Sequence, residues 1–174
     1  MTKHLVISAL GNDKPGIVKS VSKHILQAGG NITDSRMMVL GDEFALIMLV
    51  DGSEKTIEDI QALLPELEQS LGLTIICKET GLAANKPARL PYVVEVVAMD
   101  NPGIVHEVTD FFAARNINVS ELTTSSYPAP HTGTAMFSME MNISIPADTN
   151  IASMKRDFIS FCDTLNLDVT LSAF

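Results

Sequence analysis

Two rhythms of apolar residues alternate along this chain. Residues 5–10 are a short apolar run, dense enough for a buried strand. Ile17, Val18, Val21, Ile25 and Ala28 then recur at helical spacing, and Gly29-Gly30 stops the helix. Residues 31–40 and 43–51 predict two strands about Gly41-Asp42, a hairpin turn. A second helix starts at Ser53 or Thr56 and buries Ile57, Ile60, Leu63 or Leu64, Leu67 and Leu71. Pro65 predicts a kink or a break in it. Residues 74–78 close the series as a fourth strand. The order is β-α-β-β-α-β.

The same order then returns. Residues 92–98 predict a strand, 102–115 a helix, and 119–126 with 135–145 a hairpin. Ile151, Met154, Phe158, Phe161 and Leu165 mark a second helix, and residues 168–173 a last strand. Asp13-Lys14-Pro15-Gly16-Ile17-Val18 reappears as Asp100-Asn101-Pro102-Gly103-Ile104-Val105, an offset of 103 − 16 = 87 residues. Val6 meets Val93, Val21 meets Val108, and Asn31-Ile32 meets Asn118-Val119 in the same register. A unit this long exceeds a solenoid repeat and is large enough for a small core of its own. We therefore expect residues 1–79 and 92–174 to be two domains. The stretch 80–91, with Gly81, Pro87 and Pro91 and little periodicity, reads as a linker.

The element order is that of the split βαβ, or ferredoxin-like, plait: an α+β fold with an antiparallel sheet in each copy. Right-handed crossovers put both helices on one face and strands one and three at the centre. In the second copy's third strand, Phe137, Met139, Met141, Ile143 and Ile145 face one way, with Ser138, Glu140, Asn142 and Ser144 opposite. The first copy's third strand is apolar on both faces, so a partner domain or second chain is expected to cover it. A homo-oligomer is one way to do so.

Charge changes the picture most. A net charge of −9, with no basic run, argues against direct binding of DNA or RNA. With 46% apolar residues the chain is globular. Its longest apolar run, residues 44–50, is too short to span a bilayer, and no signal-peptide core opens the chain. A cytoplasmic protein is expected. Cys77 and Cys162 make no metal spacing and read as buried free thiols. No catalytic set, metal cluster or cofactor motif emerges. His4 and His24 read as packing residues, His106 as solvated, and His131 as a loop residue.

The repeated Asp-x-Pro-Gly loop at the start of a helix admits two readings. Asp13 and Asp100 can cap the helix, with Pro and Gly in its first turn, where alanine would replace glycine at little cost if the glycine's φ is negative. Alternatively, the helix-start amides can hold a carboxylate, while Asn12, Asp13, Asn31, Asp100 or Asn118 holds an ammonium. Gly16 and Gly103 would then allow close approach to the backbone.

This loop, its helix and the Asn-Ile or Asn-Val opening of strand two resemble ACT domains, regulatory modules that bind amino acids. The resemblance covers the whole chain as a tandem. It implies a ligand-binding set of Asn12, Asp13, Gly16, Ile17 and Asn31 in the first copy, and Asp100, Gly103, Ile104 and Asn118 in the second. A stand-alone tandem of this size further resembles regulators of glycine cleavage transcription. There the protein restrains a partner transcription activator by contact, and glycine relieves the restraint. An amino-acid sensor acting on a metabolic enzyme is the alternative. Lys14 against Asn101, and a long hairpin in one copy only, predict unequal ligand binding.

Overall fold

The computed structural model describes residues 2–81 and 88–174. Two compact units divide between residues 84 and 85. Most of the linker stretch, residues 82–87, lies outside the described residues; its flanks are taken up by strands.

The first unit runs β1 (Lys3–Asn12), α1 (Ile17–Gln27), β2 (Asn31–Leu40), β3 (Glu43–Gly52), α2 (Glu54–Leu71), β4 (Leu73–Thr80). The second runs β5 (Arg89–Met99), α3 (Ile104–Ala113), β6 (Asn118–Pro128), β7 (Ala135–Pro146), α4 (Ile151–Thr164), β8 (Asp168–Ala173). Each sheet has four antiparallel strands, ordered β2-β3-β1-β4 and β6-β7-β5-β8. Strands one and three of each copy are central, as crossover handedness requires.

Period-two burial makes each core. Leu5, Ile7 and Ala9 of β1 and Phe44, Leu46, Met48 and Val50 of β3 pack against Ile17, Val21 and Ile25 of α1 and Ile57, Ile60, Leu64 and Leu67 of α2. The second core is more aromatic, with Phe111, Phe112 and Phe158 at its centre. Phe112 and Phe158 rings lie 4.8 Å apart, within the range of favourable aromatic pairs. Gly30 is small because it must be: a Cβ there would sit 2.8 Å from Ile60 Cδ1.

Three local readings change. Pro65 neither ends nor splits α2, which is one helix of 18 residues. Pro65 is exposed while Leu64 and Leu67 are buried, so the carbonyl left without a partner can meet water and core packing holds the helix together. The first helix of the second copy begins at Ile104 rather than residue 102 and ends at Ala113, before the left-handed Asn116. Cys162 is buried, its thiol pushed up to about 11 by desolvation and then by Asp163, but Cys77 is only half-buried. Ser53 is the cap of α2, its hydroxyl accepting from the Thr56 N–H at 3.1 Å.

The two open sheet faces differ as their strands predict. In the second unit, Glu95 and Glu140 are paired across the central strands, flanked by Thr170 and Thr123. In the first, the equivalent row holds Arg36, Ile47, Ser8 and Ile76, and Ile47 and Ile76 are 48% and 67% exposed. Apolar area of this kind favours association. Sedimentation is expected to show self-association of the full chain, weakened by Ile47→Glu and Ile76→Glu. A monomer for all three proteins would leave that face to another occupant.

Candidate functional site

The two Asp-x-Pro-Gly loops share one backbone design. Asp13 N–H donates to Asp42 O (3.1 Å) and Asp100 N–H to Ala135 O (2.9 Å), so each loop is pinned to the neighbouring hairpin. Gly16 and Gly103 are the cap residues, with φ of +97° and +98°. Neither helix has a side-chain cap. The capping role expected of Asp13 and Asp100 is therefore not taken up: each aspartate lies three residues before its cap glycine, and its amide is committed to the hairpin.

The left-handed backbone at these positions does not meet the condition, a negative φ, under which alanine would replace glycine at little cost. An L side chain there is strained, although a Cβ on either glycine would meet nothing within 4 Å. The first bonds into the helix are Ser20 N–H to Gly16 O and Glu107 N–H to Gly103 O. The preceding three amides of each helix have no acceptor within it, the general condition for an anion site.

The candidate residues do not converge within a unit. Asn12 pairs with Glu43 at one end of β3, its amide donating to Glu43 Oε1 at 3.0 Å, while Asn31 pairs with Asp51 at the other end. Eight residues of strand separate those positions, roughly 27 Å. In the second unit, Met99 beside the loop pairs with Met136, and Asn118 with Ser144, again eight residues away. A small ligand in one unit can touch the glycine loop or the strand-two asparagine, not both. Ile17 and Ile104 are buried in the cores and present their backbone rather than their side chains.

The structure adds residues that spacing did not single out. A cavity of about 530 Å³ lies beside the second loop, lined by Asn101, Gly103, Ile104 and Glu107 and by Leu165, Asn166 and Leu167 of the turn after α4. Asp100 and Asn118 do not line it. Asn166 has φ +55°; an asparagine just past a helix was the available signal, because it favours such turns. At the matching turn of the first unit, Lys14 Nζ lies 3.7 Å from where a Cβ on Gly72 would stand. The ammonium rests against the C-terminal end of α2, which favours a cation. Asn101, in Lys14's place, is shorter and folds back to donate to Met99 O at 3.2 Å. His4 is more than packing: its Nδ1 bonds Asp51 Oδ1 at 2.6 Å, in the same cross-strand row as Asn31. Among the described residues no group of histidine, cysteine or carboxylate side chains could hold a metal ion. No helix among them is long and apolar enough to cross a membrane.

Paired βαββαβ plaits, each with a left-handed glycine opening its first helix, define a tandem of ACT domains. Residues 3–78 match the ACT domain family model. The chain is 35% identical over 163 residues to the glycine cleavage system transcriptional repressor of Escherichia coli (strain K12), covering 94% of this chain and 86% of that one. The same figures hold for the repressor of Shigella flexneri. A crystal structure of a protein proposed to be such a repressor superposes with a TM-score of 0.73 at 30% identity, covering 100% and 98% of the two chains. An uncharacterised protein from Galdieria sulphuraria gives 0.79 at 26% identity, covering 100% and 99%. The chain belongs to the glycine cleavage system transcriptional repressor family, and its role is regulatory.

The positive φ sets a measurable cost. Gly16→Ala and Gly103→Ala should each lower stability by about 1 kcal/mol, several degrees in melting temperature, with Gly→Asn costing less. Thermal melts check this; an unchanged melt for both alanine variants contradicts the left-handed loop.

Proposed function

We propose that the protein is an amino-acid-responsive negative regulator of glycine cleavage transcription. It acts by contact with a transcription activator, and glycine relieves that restraint. The observation that carries the ligand half of this reading is the cavity beside Gly103. A carboxylate there meets the unbonded amides at the start of α3, and the helix dipole favours it. Glu107, on the first turn and lining the same cavity, supplies a counter-charge for the ammonium. Gly103 lets a ligand approach the backbone closely. Glycine carries a carboxylate and an ammonium on one carbon, and such a ligand suits paired charges set this near to each other.

In the first unit the same corner holds the Lys14 ammonium, so the second unit is the ligand-responsive one on this reading. The strand-two asparagines, at the far ends of the sheets, stand outside this corner. Control through a partner rather than through DNA follows from the −9 charge, which repels the duplex and offers no counterion release.

Calorimetry across the twenty amino acids should find glycine bound. Glu107→Gln should weaken it about tenfold or more, equal to roughly 1.4 kcal/mol, and Lys14→Asn should leave it unchanged. Binding untouched by Glu107→Gln would remove this cavity from the site. In a mobility-shift assay at physiological salt, the protein alone should not retard promoter DNA; a specific shift without any partner would refute control by contact.

A further inference from the structure

The cavity beside Gly103 is much larger than glycine needs. Its volume of about 530 Å³ falls in the range of roughly 300–1,000 Å³ that suits far bigger ligands. Asn101 and Glu107 supply polar groups at the start of α3. Much of the remaining wall is apolar: Ala98 of β5, and Leu165 and Leu167 of the turn after α4. Ala98 and Leu167 are each 6% exposed. Glycine has no side chain to set against that wall.

The first unit shows what holds the space open. There a Cβ on Gly11 would stand 2.7 Å from Gly72 O and 2.9 Å from Leu73 Cδ2. The turn after α2 thus lies against β1 at a distance that only glycine permits, and the nearest atom is backbone, which cannot swing aside. At the offset of 87 residues, Ala98 stands in the place of Gly11. The registers agree: Leu10 pairs with Thr74 and Val97 with Asp168, so Gly72-Leu73 correspond to Asn166-Leu167. Gly72 and Asn166 are both left-handed, with φ of +67° and +55°. The two turns share a shape, but with a methyl group on β5 the second cannot approach as closely. Asn101 also folds back where Lys14 reaches across to the turn, which leaves the same corner clear.

We propose that Ala98 is a wedge that opens this cavity to a side chain, and that the second unit binds α-amino acids with short aliphatic side chains in competition with glycine. The carboxylate and ammonium take the places argued for glycine, and the side chain lies along Ala98, Leu165 and Leu167. Each methylene buried there strengthens binding by up to about fourfold. An acidic side chain is excluded, because its charge would lose water against an apolar wall with Glu107 in the same cavity. This rests on the ligand reading above and names the class of amino acid that the site admits.

The full chain is titrated in a calorimeter with glycine, alanine, 2-aminobutyrate, norvaline and glutamate. Affinity should rise along the first four. Norvaline should bind about tenfold or more tightly than glycine and displace it, and glutamate should not bind. Ala98→Gly, which removes the wedge, should lower the norvaline-to-glycine affinity ratio about tenfold. Leu165→Ser takes away part of the wall and should lower the same ratio severalfold, so the test survives if the glycine variant does not fold. Melting curves show which variants fold. Glycine bound with norvaline neither bound nor competing overturns this proposal and leaves the ligand reading standing. Norvaline bound without displacing glycine, or a ratio that neither variant moves, also overturns it. Norvaline bound where glycine is not upholds the proposal and removes glycine as the ligand. If no amino acid binds, both readings fall.

Discussion

Each unit depends on burying one face of a two-strand pair. β1 with β3, and β5 with β7, present every second residue to a pair of helices, and those residues are almost all apolar. No polar or charged residue is buried among the described residues. Hydrophobic burial rather than a buried polar network therefore defines which face is inside, and a one-residue slip in register would turn the core outward. The glycine loops lie at one end of that slab and the strand-two asparagines at the other.

Duplication separates what the fold needs from what each copy does. The left-handed glycine recurs in both, with φ values one degree apart, as does the amide bond from the aspartate to the hairpin. These belong to the architecture of the turn. Lys14 and Asn101 occupy the same position yet act oppositely: one lays a charge against a helix end, the other folds back and leaves a cavity beside it. Lys19, Lys23, Met37 and Val39 likewise have no chemical counterparts across the repeat. Such differences on a shared backbone show which positions the fold leaves free to vary.

Secondary structure was legible where the apolar period was long. Residues 137–145 alternate cleanly and lie within β7 (Ala135–Pro146), and the repeat of the whole element order announced two plaits. The misreadings came where a local rule competed with context. Pro65 breaks helices in isolation, but here its exposed face and the burial of Leu64 and Leu67 hold α2 together. Aspartate before Pro-Gly looks like a cap, yet its amide is drawn to the hairpin and glycine takes the cap position instead.

By itself the sequence determined the number of units, their fold, the face each strand buries, and the absence of a basic footprint. All of these follow from period, repetition and charge, which are properties of a one-dimensional chain. Only the tertiary structure decided what is near what. Antiparallel pairing carries Asn31 to the far end of the sheet from Gly16 and brings the turn after α4 beside Gly103. Register and crossover set these distances, and residues that share a motif in sequence can be held a whole strand length apart because the strand between them is stiff.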